Sequence, residues 1–200
     1  AKIMRDGVEA IEVSQELFER IAYREGVDGW LALAPAPAQT LSALRPRDPA
    51  FLVVVDAVEK PGNLGAILRT AEAAGVDALI SADPVTDWGN PNVVRASKGA
   101  VFGVPVATAS SGETLDWLAG QGIRRVVATP QADRLYTDAN LTQPVALVVG
   151  SEKYGVSHRW LEEAEMTVRI PMVGRIDSLN VSTSAALLIY EVVRQRGAAR

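Results

Sequence analysis

From Phe51 onward the chain alternates apolar runs with helix-like segments, and this alternation limits the fold more than any other feature. Several of the runs are continuously hydrophobic, as strands covered on both faces are. The six runs are residues 51–58, 77–82, 103–109, 124–130, 144–152 and 166–171. Apolar residues recur at helical spacing between them. The pattern predicts an α/β fold with a mainly parallel sheet and helices on both faces.

The composition agrees with one principal domain over residues 51–200. A chain of 200 residues that is 48% hydrophobic can bury one substantial core. No run of about 18 apolar residues occurs, and the first residues are charged rather than signal-like, so we expect a soluble cytoplasmic protein that is not in a membrane. With no cysteine and His158 as the single histidine, we expect neither disulfides nor a metal site.

The segment before Phe51 has a different character. Residues 1–34 suggest a strand, a helix and a strand, a unit too small to fold alone, which must pack on the main domain or be the remnant of a larger domain. Residues 35–50 are punctuated by prolines and are predicted to be a linker.

A first polar constellation follows the first predicted strand, where Pro61 to Gly65 precede Arg69. Two glycines and an amide at a strand end can leave backbone N–H groups free for an anion. The alternative is a helix capped by Asn63 with a solvated arginine. The segment lacks both G-x-G-x-x-G and a Walker lysine, which argues against an unrelated nucleotide-cofactor enzyme.

Two further constellations follow later strands. In the segment from Gly150 to Gly155, the Glu152 carboxylate comes at the end of the most hydrophobic strand, where an open α/β sheet builds its site. The alternative is that this segment is only a turn. Residues 170–186 are rich in hydroxyl and amide side chains and lead into a helix predicted to start near Ser182. A simple capping loop would need fewer such side chains.

Charge alone does not indicate a nucleic-acid binder, because the net charge is −4. Residues 150–200 carry 7 basic and 6 acidic side chains and form the only positive part of the chain. Sixteen of the 20 basic residues are arginine, which suits phosphate recognition, although codon composition can produce the same bias.

Together the three constellations resemble the SpoU or TrmH branch of the SPOUT RNA methyltransferases, over about residues 51–196. One departure is Lys153, where many members carry glycine. The matching positions are Asn63, Gly65, Arg69, Thr70 and Ala71 in the first motif, Gly150, Glu152 and Gly155 in the second, and Ile170, Pro171, Met172, Gly174, Ser178, Leu179, Asn180, Val181 and Ser182 in the third.

The resemblance implies a C-terminal trefoil knot and a homodimer with active sites at the subunit interface. It also implies S-adenosylmethionine as the cofactor, contacted by Thr129, Gly150, Ile170, Met172, Gly174 and Leu179. Arg69 would be the central catalytic residue. A guanidinium stays protonated, so we expect it to clamp a phosphate and orient the hydroxyl rather than act as a base. The residues expected to hold it in place are Asn63, Glu152, Ser178 and Asn180.

The activity implied by the resemblance is methyl transfer to a ribose 2′-hydroxyl of RNA. Residues 1–34 look like the final part of an L30e-like RNA-binding domain, which favours 23S ribosomal RNA as the substrate and leaves an antibiotic-resistance role open. The alternatives are a transfer-RNA 2′-O-methyltransferase and a catalytically silent RNA-binding relative.

Overall fold

A computed structural model describes residues 9–23, 29–36 and 39–198. The chain divides into two units, Ala1–Pro35 and Ala36–Arg200. The smaller unit contains helix α1 (Gln15–Ile21), and the Ser14 hydroxyl caps it by accepting from the Leu17 amide at 3.2 Å. Its described residues form no strand beside this helix, and residues 7–8 and 24–28 of the predicted strands lie outside the described part. The L30e-like assignment stays a prediction.

The larger unit is built on a six-stranded sheet in the order β3-β2-β1-β5-β4-β6. All five neighbouring pairs are parallel, which confirms the predicted sheet. The strands are β1 (Phe51–Asp56), β2 (Ala78–Ala82), β3 (Val106–Ala109), β4 (Arg124–Ala128), β5 (Val145–Gly150) and β6 (Met166–Val168). Each lies inside one of the six predicted runs, whose remaining residues belong to the adjoining turns.

Helices cover both faces of the sheet, as the apolar patterns predict. Because side chains alternate along a strand, Val53 of β1 faces one apolar cluster and Val54 faces the other. The first cluster includes Leu68 and Leu188, and the second includes Leu118. The remaining helices are α2 (Pro61–Ala74), α3 (Pro91–Ala96), α4 (Ser111–Gly120), α5 (His158–Glu162) and α6 (Val181–Ala198).

Most of the predicted linker is part of the larger unit, which begins at Ala36. Leu44 and Ala50 are buried in the second cluster, and the Gln39 carbonyl accepts a hydrogen bond from the Thr108 amide at 2.8 Å. A short 3-10 helix spans Leu41–Ala43. Within the described ranges, no helix is long and apolar enough to cross a membrane.

Parallel pairing brings the carboxyl ends of the strands to one edge of the sheet. Asp56, the last residue of β1, is in register with Gly150, the last residue of β5. The loops that follow these two strands therefore begin side by side. This edge carries the predicted functional residues.

Candidate active site

Three of the five predicted catalytic residues meet at one carboxylate. The Asn63 and Asn180 side-chain amides both donate to Oε1 of Glu152, at 2.7 and 2.6 Å. The Asn180 amide also lies 3.2 Å from Oδ1 of Asn63. One residue from each of the three sequence constellations thus contributes to this cluster, which we call the Glu152 cluster.

Lys60 is a member of this cluster that the sequence reasoning missed. Its ammonium forms an ion pair with the other Glu152 oxygen, Oε2. Lys60, followed by Asn63, is the main cause that lowers the pKa of Glu152 below its ordinary value, so the carboxylate is ionised at neutral pH. The only signal in the sequence is that Lys60 immediately precedes the Pro61 to Gly65 constellation.

Asn63 is not the N-cap of α2, and that interpretation is wrong. The helix begins three residues earlier than an Asn63 cap requires, with Lys60 at the N-cap and Pro61 in the first turn. Proline suits that position because its fixed φ matches the helix and it has no N–H to leave unpaired. The Asn63 side chain, inside the first turn, is therefore available to bond Glu152.

Gly65 serves helix packing rather than anion binding. A Cβ at this position would lie 2.5 Å from the Cβ of Ala96 and 2.8 Å from the carbonyl oxygen of Val93. Only glycine lets α2 and α3 approach so closely. The constellation therefore fixes α3 beside the start of α2.

The loop that carries Glu152 is closed on itself. Ser151 and Gly155 exchange two backbone hydrogen bonds, at 3.0 and 2.9 Å, and Gly155 has a φ of +70°. A Cβ at Gly150 would lie 2.1 Å from the Gly155 carbonyl oxygen, so the strand end and the loop are in direct backbone contact. Glu152 therefore projects from a tight turn.

A buried carboxylate holds the far end of this loop. Oδ2 of Asp56 accepts from the Ser157 amide at 2.7 Å, and Asp56 is only 2% exposed. Burial raises the pKa of Asp56 above its ordinary value, and the nearby Asp83 adds to the shift. β1 thus anchors the segment that follows the turn.

Asn180 links the Glu152 cluster to the start of α6. Its Oδ1 accepts from the amide and the hydroxyl of Ser182, at 3.0 and 2.6 Å, while its amide group donates to Glu152. The helix begins at Val181, which confirms the predicted start near Ser182. Because the bonds from Ser182 hold Oδ1 of Asn180, the start of the helix fixes the direction in which its Nδ2 donates to Glu152.

Arg69 and Ser178 lie apart from this cluster within the chain. Arg69 follows Asn63 by six residues, which is about 9 Å along a helix axis and roughly 240° around it. It lines a groove of about 380 Å³ together with Ala96 and Tyr190. In the described part of the chain, no hydrogen bond joins Arg69 or the exposed Ser178 to Asn63, Glu152 or Asn180. Their catalytic roles stay predictions.

A second basic groove adjoins the first. It measures about 440 Å³ and is lined by Pro61, Gly62, Asn92, Arg95 and Ala96. Ala96 borders both grooves, so the groove that holds Arg95 and the groove that holds Arg69 meet at this residue. Arg95 is a second residue that the sequence reasoning did not single out.

The predicted cofactor residues are grouped around the ends of three neighbouring strands. Gly150 ends β5, Thr129 follows β4, and Ile170 follows β6. The Thr129 amide donates to the Val168 carbonyl at 2.9 Å, which keeps the last two of these strand ends together. Their contact with a cofactor stays a prediction.

The segment from Pro171 to Asn180 is irregular and rich in unused backbone groups. Among the described residues, no backbone hydrogen bond is donated by residues 171–180. Met172 and Leu179 are half-buried, whereas Gly174 is exposed. Free amides and carbonyls next to partly buried apolar side chains suit a small ligand that has both polar and apolar parts. No group of three or more potential metal ligands occurs in the ranges that the structure covers.

The chain is similar in sequence and in structure to known RNA methyltransferases. The sequence profile of the SpoU rRNA Methylase family matches residues 50–190. The chain is 37% identical over 172 residues to the 23S rRNA (uridine(2479)-2′-O)-methyltransferase of Streptomyces viridochromogenes; this alignment covers 83% of the chain and 60% of that enzyme. The chain therefore spans well under two thirds of that relative's length.

Two solved structures share the fold. A crystal structure of an RNA 2′-O ribose methyltransferase matches with a TM-score of 0.81 at 47% identity, over 92% of this chain and 71% of the other. The SpoU methyltransferase AviRb from Streptomyces viridochromogenes, in complex with AdoMet, matches with a TM-score of 0.77 at 36% identity, over 81% and 66% of the two chains.

Proposed function

This chain belongs to the SpoU rRNA Methylase family, and from that membership we propose that it transfers a methyl group from S-adenosylmethionine to a ribose 2′-hydroxyl of RNA. The observation that carries the proposal is the convergence of Asn63 and Asn180 on Glu152. The three motifs lie far apart in the sequence and meet at one carboxylate. A purely structural α/β domain has no need of such a meeting point at its sheet edge.

The irregular segment after β6 supports the choice of cofactor. Ile170, Met172, Gly174 and Leu179 would hold S-adenosylmethionine together with Thr129 and Gly150, through apolar side chains and the backbone groups that are unused in the described chain. When bound, the cofactor supplies an activated methyl on its sulfonium. We place this segment in the trefoil knot that is expected for the family.

The Glu152 cluster positions the reacting groups. Glu152 is ionised, and by accepting from Asn63 and Asn180 it fixes the first turn of α2 relative to the start of α6. Arg69 stays protonated, so it clamps a phosphate and orients the 2′-hydroxyl, and a substrate phosphate shares the hydroxyl proton. Ser178 adds a hydroxyl near the same end of α6.

Arg69 makes no hydrogen bond to the Glu152 cluster of its own chain among the described residues, and we propose a homodimer in which it serves the other subunit. The outer face of α6 exposes Leu187 and Tyr190, which are 37% and 50% exposed. Tyr190 lines the same groove as Arg69. An interface on this face would cover the apolar side chains and place Arg69 at a shared active site.

The proposed substrate is 23S ribosomal RNA, which the enzyme would modify in the cytoplasm. The relative from Streptomyces viridochromogenes carries this substrate in its name. Arg69 and Arg95 line two grooves that share Ala96, and both guanidinium groups can contact phosphates of RNA. Methylation of a 2′-hydroxyl suits unpaired RNA, whose riboses are accessible.

Labelled methyl transfer tests the proposed function. The protein is incubated with S-adenosylmethionine that carries a labelled methyl, and with 23S or transfer RNA in separate reactions. We expect label in 23S RNA, mapped to one ribose, and none after Arg69→Ala. Cofactor binding in calorimetry without transfer to either RNA would indicate a silent relative, and an Arg69→Ala variant with normal turnover would refute the role of Arg69.

The homodimer has its own test. Light scattering coupled to gel filtration should give twice the mass of one chain. Mixing Arg69→Ala with Glu152→Gln subunits should restore part of the activity if the two residues act across the interface. A monomer that is fully active would overturn this part of the proposal.

A further inference from the structure

Tyr154 is an exposed aromatic side chain two residues after Glu152. It is 74% exposed, in the turn that carries the Glu152 carboxylate. The Lys153 ammonium lies over its ring, 4.7 Å from the ring centroid. The turn that carries Glu152 therefore also presents a cation and an aromatic ring side by side.

The ring is displayed by a backbone that is tightly fixed. The Tyr154 amide donates to Oγ of Ser151 at 3.1 Å, and the two backbone bonds between Ser151 and Gly155 close the turn around it. Direct contact between Gly150 and the Gly155 backbone leaves little room for the turn to shift. The exposed position of Tyr154 is therefore held by the fold and is not the result of a loose loop.

We propose that Tyr154 and Lys153 form a stacking platform for an unpaired base of the RNA substrate, at or next to the methylated nucleotide. This inference rests on the proposed function. Every base has a π-face, and single-stranded RNA is commonly held by stacking on aromatic side chains. One face of the ring carries the Lys153 ammonium, so a base on the opposite face completes a cation, ring and base stack.

The local charges allow an RNA strand to approach this platform. The carboxylate of Glu152 is paired with Lys60, which reduces its repulsion of a phosphate. Lys153 adds a positive charge that no described carboxylate pairs with. Tyr154 follows Glu152 by two residues in the same closed turn, so a base stacked on its ring would be held next to the turn that carries the Glu152 carboxylate.

The test compares Tyr154→Leu with Tyr154→Phe, and Phe102→Leu serves as the control. Leucine removes the ring, phenylalanine keeps it without the hydroxyl, and Phe102 is a second exposed aromatic residue of the same unit. We expect Tyr154→Leu to raise the KM for 23S RNA by about ten-fold or more, with unchanged cofactor affinity in calorimetry. Tyr154→Phe and Phe102→Leu should behave as the unaltered protein does.

Ultraviolet cross-linking of bound RNA, followed by mass spectrometry, gives a readout that does not depend on catalysis. An RNA adduct on the peptide that contains Tyr154 supports the platform, and adducts elsewhere only would overturn it. An equal KM for Tyr154→Leu and the unaltered protein, or an equal loss in Tyr154→Phe, would also overturn it. If the unaltered protein methylates no RNA, the proposed function fails, and the position of the adduct still decides the stacking.

Discussion

The Asn63 amide donates to the Glu152 carboxylate at 2.7 Å across 89 residues of sequence. This bond ties the first turn of α2 to the turn after β5, and Asn180 adds the start of α6. Because all three elements begin at the same sheet edge, the geometry of the cluster depends on Glu152 as the common acceptor.

Glu152→Gln tests this dependence. The variant loses the charge that pairs with Lys60. Glutamine keeps one oxygen that can accept from Asn63 and Asn180, but its NH2 group then faces the Lys60 ammonium, which is also a donor, so the cluster should lose its fixed geometry. We expect methyl transfer to fall about 100-fold. The free energy of unfolding should change by less than about 1 kcal/mol, because the ion pair is partly exposed. Glu59→Gln, at an exposed carboxylate close in sequence, should retain full activity; a similar loss there would contradict the prediction.

Asp56→Asn should change how stability depends on pH. Burial raises the pKa of Asp56 in the folded protein, so the folded state binds this proton more tightly than the unfolded state does. The stability that Asp56 contributes is therefore present at low pH and is lost as the pH rises through the folded pKa. Asparagine has no such proton and can still accept from the Ser157 amide.

Urea unfolding of both proteins at pH values from roughly 4 to 8 measures this difference. As the pH rises, we expect the free energy of unfolding of Asp56→Asn to increase relative to that of the unaltered protein. If the free energy of unfolding of the variant, relative to that of the unaltered protein, is the same at every pH or rises as the pH falls, the ionised Asp56 carboxylate is not destabilised by burial.

Gly65→Ala should destabilise the protein, whereas Gly62→Ala should not. The new methyl at residue 65 would collide with the backbone and side chain of α3, whereas a methyl at residue 62 meets nothing within 4 Å. We expect Gly65→Ala to destabilise the protein by about 1–3 kcal/mol. Alanine at the exposed helical residue 62 should be neutral or slightly stabilising. Thermal unfolding of both variants checks the pair, and equal shifts would contradict the packing role of Gly65.

Arg196→Lys should destabilise the larger unit. The Arg196 guanidinium donates to the carbonyls of Pro49, Ala50 and Gln143 at 2.9, 2.8 and 2.9 Å. It also lies 5.3 Å from the ring centroid of Phe51. Lysine keeps the charge but lacks the planar fork, so we expect a loss of about 2–3 kcal/mol in the free energy of unfolding. Arg134→Lys, at an exposed arginine, is the control and should leave the unfolding midpoint unchanged.

The sheet and the identity of the Glu152 cluster were largely predictable from the sequence. Buried parallel strands read as continuous apolar runs, so β1 and β5 were recognisable without any contact information. Asn63, Glu152 and Asn180 were singled out through the resemblance to the three family motifs, as residues expected to hold Arg69; the structure joins them to one another instead. The N-cap role of Asn63 was wrong because the helix starts at Pro61, three residues earlier than that role requires.

Other parts of the site could not be predicted from local patterns. Lys60 has no motif of its own, and its role appears only when the turn after β5 brings Glu152 next to it. The packing role of Gly65 depends on how closely α3 approaches α2. The spacing of apolar residues within α2 does not predict that distance. The separation of Arg69 from the Glu152 cluster follows from helix geometry only once the helix start is known.

The sequence by itself determined the order of strands and helices and the residue types available at the sheet edge, because hydrophobic periodicity and turn residues act locally. The tertiary structure alone decided which of those residues meet. Parallel pairing of β1 with β5 sets Asp56 beside Gly150, and that register carries Asn63 and Glu152 into hydrogen-bond distance. Contacts across 89 residues depend on strand order and register, which each strand's own sequence does not contain.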